Sequence, residues 1–373
     1  MRTAAGIAVM FFVAACGGGG TAAAHTTPSQ GAALTSPSAG ASPSIEPSAQ
    51  PSASAPASSV ALAGVYGVVV KDFLTDGGPT YTVSLVREDG QVQASVTANK
   101  RVAHGWLVQE PNISASNSRL YYLDGDANLR FLKPDGTTGA VKTLPVEAAA
   151  AAIFAVSPDD TRIAVAIITY PYPVKTRIYV EDLYGTGNHV ELFSSSSVME
   201  WPVGWHQGRL VIGIGMNAAP QNAWDGFSYT AGSYHVANAA TATRLATICP
   251  NGFAGGTPTP AGTACWSNSS ETVSDWSGIT RPVPAGDGCR ADVLSTDGQM
   301  VADFCNDGFV RLVTATGGVI TTPYTATPQG WIDRLHVVLL AQSGQLSILN
   351  VQLMQNTTIT ARGFFAGTIP GSL

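Results

Sequence analysis

From about residue 60 onward the sequence repeats with a mean period of about 44 residues, and no other feature limits the possible folds as strongly. The early part of the unit is a tight turn followed by an alternating run, as in Ile113 to Tyr122, Val156 to Val165, Gly204 to Ile212, Leu294 to Ala302 and Gly330 to Val338. The later part is a second alternating run ending in a polar turn, as in Tyr81 to Gly90, Leu129 to Gly136, Ile178 to Gly185, Val310 to Gly317 and Leu346 to Val351, with a weaker copy near Tyr234. Alternation of apolar and polar residues closed by a turn is a hairpin pattern. Four strands of about five or six residues with their turns fill such a period, and roughly seven periods fit the chain. The expectation is an all-β fold, a single β-propeller of seven blades with four antiparallel strands each. A pair of β-sandwiches is the competing arrangement.

The ends of the repeat region carry a further expectation. The first unit offers only three strands, near Val65 to Phe73, Tyr81 to Val86 and Val92 to Thr97, while Phe364 to Ile369 is left over after the last. The spacing predicts that this late strand becomes the innermost strand of the first blade. Such closure removes a free sheet edge.

The segments Val156 to Ala164 and Thr176 to Leu183 together resemble one blade of the TolB-like, WD-repeat-like propellers. The resemblance implies this architecture and a role in an envelope assembly. The Gly-His and Trp-Asp dipeptides of true WD repeats are missing at the expected places, so no catalytic residue is carried across.

The N-terminal stretch has its own pattern. Arg2 precedes an apolar run from Ala4 to Ala15, and Val13-Ala14-Ala15-Cys16 closes it with small residues before a cysteine. This is the layout of a secretory signal, and it resembles a bacterial lipobox, which implies lipidation at Cys16 and an extracytoplasmic, membrane-anchored protein. Residues 1–15 then form the signal peptide. From the lipidated Cys16, residues 16–59 form a tether rich in Gly, Ala, Ser, Thr and Pro; its stretch from Gly17 onward has one acidic residue, Glu46, and no aromatic. Such a composition cannot offset the entropy of ordering, and the tether is expected to be disordered with a reach on the order of 35 Å. Residues 60–373 form the propeller domain.

Charged residues make up 12% of the chain and the formal net charge is −6. No run of Lys or Arg could track a phosphate backbone, so nucleic acid is not an expected partner. Apolar runs such as Val165 to Ile168 and Val337 to Leu340 have strand length, so membrane contact is expected through the lipid alone. A monomer is expected.

Four cysteines remain after Cys16. In an oxidising compartment an even number favours disulfides over a metal site. Cys249 and Cys265 flank the turn-rich Gly255-Gly256-Thr257-Pro258, and Cys289 and Cys305 flank Thr296-Asp297-Gly298. If each segment is a hairpin, its cysteines fall opposite one another. The expected pairs are Cys249–Cys265 and Cys289–Cys305. Short Cys-x-x-Cys spacing and clustered histidine, which zinc would need, are missing.

Reactive constellations are sparse. Asp124-x-Asp126-x-Asn128 begins like a calcium loop, but Leu129 stands where the sharp turn needs Gly and Asp135 where a longer Glu is needed, so a polar hairpin turn accounts for it. Asp76, Asp89, Asp135, Asp297 and Asp307 each precede Gly, as turns require. Asp182, Glu181, Asp225, Asp275 and Asp303 remain, and nothing in the sequence brings two of them together. No Gly-x-Ser-x-Gly elbow is present, His104, His189, His206, His235 and His336 are dispersed, and no cofactor is expected. Trp106, Trp205 and Trp331 recur near blade starts, which points to packing between blades.

Two long connections stand apart. One, in the third unit, carries Tyr170 and Tyr172; the other, in the fourth, carries Trp224, Asp225, Phe227 and Tyr229. In a propeller both emerge on one face in neighbouring blades, and long aromatic loops on a rigid scaffold suit recognition. These six residues are the candidate binding site, for an envelope protein or a glycan. The alternative is a propeller glycosidase or polysaccharide lyase with its site at the central channel.

Overall fold

A computed structural model describes residues 64–71, 78–101, 113–147, 150–169, 175–215, 231–250, 252–267, 271–284 and 288–373. They form 28 strands and no helix, arranged as seven sheets of four antiparallel strands. From innermost to outermost strand, blade 1 is Phe364–Ile369, Tyr66–Lys71, Thr80–Val86 and Val92–Asn99. Blade 2 is Ile113–Ala115, Leu120–Asp124, Asn128–Leu132 and Thr138–Thr143. Blade 3 is Ala150–Val156, Arg162–Thr169, Lys175–Asp182 and Val190–Ser195. Blade 4 is Glu200–His206, Arg209–Ile214, Ser233–Ala237 and Arg244–Ile248. Blade 5 is Phe253–Ala254, Thr263–Trp266, Glu271–Ser274 and Thr280–Pro282. Blade 6 is Cys289–Leu294, Met300–Cys305, Phe309–Thr314 and Val319–Thr325. Blade 7 is Thr327–Trp331, His336–Leu340, Leu346–Asn350 and Gln355–Thr358.

The closure anticipated from the strand count is present. Phe364–Ile369 pairs antiparallel with Tyr66–Lys71, with Tyr66 opposite Ile369 and Val70 opposite Phe364. Blade 1 therefore contains strands from both ends of the repeat region, and its innermost strand touches those of blades 7 and 2.

Burial follows position within the blade. Every residue of Ala150–Val156 is buried, and most of its neighbour Arg162–Thr169 is as well, because blades cover both faces. The outermost strand Gln355–Thr358 is exposed throughout. The cores lie between blades: Val337, Leu339 and Leu349 of blade 7 pack on Val293, Ala302 and Leu312 of blade 6. Each fully buried Val or Leu contributes roughly 1.5–3 kcal/mol, so these seams hold the ring together. The turns use the expected chemistry: the carboxylates of Asp89, Asp135, Asp297 and Asp307 accept the backbone N–H two residues on, at 3.0, 2.8, 3.0 and 3.0 Å. Asp124 accepts the backbone and side-chain N–H groups of Asn99 at 2.9 and 2.8 Å, which is how this hairpin turn spends its carboxylate.

Both expected disulfides form. Cys289 lies directly opposite Cys305 across the first two strands of blade 6. Cys249–Cys265 corrects the expected geometry, because the hairpin partner of Cys265 is Ala254. Cys249 follows the outermost strand of blade 4 in a left-handed conformation (φ 55°), and its bond ties blade 4 to blade 5.

Candidate functional site

The innermost strands enclose a central cavity of about 440 Å³. Blade 4 contributes Trp201, Val203 and Gly204, blade 7 contributes Pro328, Gln329 and Trp331, and blade 3 contributes Ile153 and Phe154. Blade 1 contributes Phe364 to Thr368, and blade 2 Ile113 to Ala115. A β-bulge recurs in the innermost strands of blades 1, 4, 6 and 7, with Ala366, Val203, Asp292 and Gln329 as the extra residues. A bulge re-aims a side chain. In blades 1, 4 and 7 the bulged residue lines the cavity, whereas Asp292 does not.

The difference at blade 6 is caused by a strap. After the short innermost strand of blade 5, Gly255 to Pro260 crosses in front of blade 6, and its residues from Gly256 onward line the cavity there beside Thr296 of blade 6. The Oγ1 of Thr259 donates to Ser295 O in blade 6 at 3.3 Å, and the Oγ1 of Thr257 donates to Gln329 O in blade 7 at 2.9 Å. Gly256 is packed so closely that an added Cβ would lie 2.6 Å from the carbonyl oxygen of Asp292. The sequence reads this segment as a plain hairpin turn, and its path over blade 6 departs from that.

The foot of the cavity is filled by residues 371–373. Gly371 N–H donates to Ser116 O at 3.0 Å, Leu373 N–H donates to Trp205 O at 2.8 Å, and the Leu373 side chain fits over Gly204. Among the described lining residues no side chain is Asp, Glu, His, Lys or Arg. The lining side chains are aliphatic and aromatic, with hydroxyls and one amide, which suits a ligand with an apolar face.

Two of the periodic tryptophans, Trp205 and Trp331, are inter-blade ties. Trp205 Nε1 donates to Ala155 O of blade 3 at 3.1 Å, and Trp331 Nε1 donates to Val293 O of blade 6 at 3.1 Å. Trp276 Nε1 donates to Thr259 O of the strap at 2.9 Å.

The candidate binding residues Tyr170, Tyr172, Trp224, Asp225, Phe227 and Tyr229, together with Cys16 and Trp106, lie outside the described residues. The strand ends that carry the two connections are described: Thr169 and Lys175 are paired in blade 3, and Ile214 and Ser233 in blade 4. In the seam beside them, Arg244 donates to buried Glu200 at 3.0 Å. His235, whose Nδ1 has no partner, is pushed down to about 4 by burial and then by Arg244.

Three polar groups escaped the sequence reading. Glu88, Asp333 and His336 form the one described group of metal-ligand type with its ligand atoms within 4.8 Å. Asn350 Oδ1 accepts the N–H groups of Gln352 and Leu353 at 3.1 and 2.9 Å, so its amide N–H₂ faces His336 Nε2 at 2.9 Å. Nε2 is thereby the acceptor, and Nδ1–H donates to Asp333 at 2.9 Å, making the group a hydrogen-bonded brace for its turn. On the rim, His189 bridges Glu181 (3.1 Å) and Glu191 (2.9 Å), with Lys142 and Arg177 on the outer sides. Between blades 5 and 6, Asp303 lies beside Asp292 and Glu271, two acids that the sequence reading did not single out. The sequence signal for this was register: Val301, Asp303 and Cys305 share the inward face of one strand.

The fold is that of a seven-bladed, all-antiparallel β-propeller. No protein-family model matches the sequence, and no curated protein matches it either. Among solved structures, the chain is similar to an oligogalacturonate lyase from Vibrio parahaemolyticus, with 10% identity over 76% of this chain and 90% of that one and a TM-score of 0.44. It is also similar to BamB from Moraxella catarrhalis, with 18% identity over 82% and 84% of the two chains and a TM-score of 0.42.

Proposed function

We propose that this chain is an extracytoplasmic binding module, anchored by lipid on Cys16 and held off the membrane by the tether of residues 16–59. Its partner is an envelope protein or a glycan, taken at the end of the ring that bears Tyr170, Tyr172, Trp224, Asp225, Phe227 and Tyr229. The observation that carries this reading is topological. Thr169–Lys175 and Ile214–Ser233 both join the second and third strands of their blades, and blades 3 and 4 are neighbours, so both connections leave the same end. The apolar and aromatic side chains lining the channel, none of them charged among the described residues, support binding of a group with an apolar face at the same axis. Two disulfides support an oxidising compartment.

The test is retention of detergent-solubilised envelope proteins and of a soluble glycan panel on the tether-anchored domain, beside its Tyr172→Ala/Trp224→Ala double variant. A defined partner held by the wild type and lost by an equally stable variant is the expected result. Release of reducing ends or unsaturated products from a polysaccharide would replace binding by turnover. Equal retention by both proteins would remove the loop-borne site.

A further inference from the structure

Asp303 sits on the second strand of blade 6, with Val301 and Cys305 on the same face. Val301 packs on Ala264, Val273 and Val283 of blade 5, so this face is the seam between blades 5 and 6. Asp303 is 0% exposed, and neither carboxylate oxygen has a hydrogen-bond partner. Asp292, 5% exposed, receives Arg290 on Oδ1 at 2.9 Å and leaves Oδ2 without a partner. Among the described residues, the charged groups around Asp303 come from both blades. Glu271 comes from blade 5, Asp292 and Arg290 from the innermost strand of blade 6, and Arg311 from its third strand. Arg311 stands opposite Asp303 in the strand register, with its Nη2 on Asp307 at 2.9 Å and Nη1 on the sulfur of Cys289 at 2.7 Å. A carboxylate with no partner, among acids and out of water, is tolerated only with a proton on it.

The position of Asp292 connects this seam to the channel. It is the bulged residue whose counterparts in blades 1, 4 and 7 line the cavity, and the strap Gly255 to Pro260 is seated against its main chain. We infer that Asp303 is held as an uncharged carboxylic acid, and that the seam of blades 5 and 6 is a proton-sensitive joint that frees the strap when this acid ionises. A second negative charge behind Asp292 meets only arginines that are already engaged, Arg290 by Asp292 and Arg311 by Asp307, and must draw in water, and the strap is the element that separates the bulge from the channel. The strap rests on few bonds to blades 6 and 7, those of Thr259 and Thr257. Burial first, then Glu271 and Asp292, pushes the carboxyl of Asp303 up to about 7, so the joint works near neutrality. The inference stands apart from the identity of any partner.

Hydrogen exchange of the full chain, corrected for the intrinsic effect of pH, tests it across about pH 5 to 8.5. The amides of Gly255 and Gly262, bonded to Ala264 O and Thr259 O, report on the strap. In the wild type their protection is expected to fall by about tenfold per pH unit above the midpoint, while Arg162–Thr169 of blade 3 stays flat. Asp303→Asn, which fixes the uncharged shape, is expected to keep the strap protected throughout. A flat wild-type profile, or an Asp303→Asn profile that follows the wild type, would overturn the joint. Should that variant fail to fold, carboxyl-carbon NMR of the wild type decides. Titration of Asp303 together with strap exchange upholds the inference, and a carboxylate ionised at every pH overturns it.

Discussion

The indole N–H of Trp205 in blade 4 is bonded to the main-chain oxygen of Ala155 in blade 3, 3.1 Å away, and Trp331 repeats this bond to Val293 one seam before it in the ring order of blades 6 and 7. Each tryptophan lies near the end of an innermost strand and reaches the innermost strand of the preceding blade. Adjacent sheets therefore share a directional contact as well as apolar area. That contact fixes how neighbouring blades are stacked around the cavity.

Trp205→Phe keeps most of the apolar surface and removes the donor, leaving the oxygen of the fully buried Ala155 with one hydrogen bond fewer. The expected loss is about 0.5–1.5 kcal/mol. The two seams share no residue in these bonds, so Trp205→Phe and Trp331→Phe are expected to add to within about 0.5 kcal/mol. Chemical denaturation of the single and double variants checks both statements.

The two disulfides close loops of equal length, each with a sequence separation of 16. Chain-entropy reasoning gives each about 3 kcal/mol. Their structural roles differ: Cys289–Cys305 lies within blade 6, and Cys249–Cys265 joins blade 4 to blade 5. Replacing either pair by serines is expected to lower the melting temperature by a similar amount. Only Cys249→Ser/Cys265→Ser is expected to raise hydrogen exchange on both sides of the blade 4–5 seam.

What could be read in the sequence was what local chemistry decides. Alternation gave the strands, Asp-Gly pairs the turns, and the missing fourth strand of the first unit the pairing of Phe364–Ile369 with Tyr66–Lys71. Cys289–Cys305 was legible because both residues belong to one hairpin. The strap was not, since Gly255-Gly256-Thr257-Pro258 has the composition of any turn, and its meaning depends on Ser295 and Gln329, 36 and 72 residues beyond their bonding partners. Asp303 was hidden for the same reason, because Glu271 belongs to another blade and Asp292 reaches it through a bulge.

His189 offers a pH dependence of known sign. Hydrogen bonds to Glu191 and then Glu181 hold its imidazolium above the ordinary value of 6.5. A folded value raised in this way gives stability that is complete below the unfolded value and is lost as pH rises through the folded one. His189→Gln is therefore expected to lower the melting temperature most below about pH 6.5 and least in alkaline buffer. The side chain is 37% exposed, so the difference is small and shrinks with added salt. Melting curves at low and high ionic strength across this range check it.

Closure of the ring makes a strong demand on a single residue. Gly363, just before the innermost strand of blade 1, has φ of +137°, and an added Cβ would lie 2.1 Å from the carbonyl oxygen of Val70. A side chain there meets both a strained backbone, costing about 1–3 kcal/mol, and a collision with the strand it must pair beside. Gly363→Ala is expected to loosen the pairing of Phe364–Ile369 with Tyr66–Lys71, exposing a strand whose Val68, Val69 and Val70 are at most 1% exposed. Removal of the chain after Arg362 goes further, leaving that apolar strand as a free edge able to pair with another molecule. The point variant is expected to melt earlier as a monomer, and the truncated chain to lose its cooperative transition and associate in size-exclusion chromatography. A truncated chain that stays monomeric and melts like the wild type would show that the ring closes without its last strand.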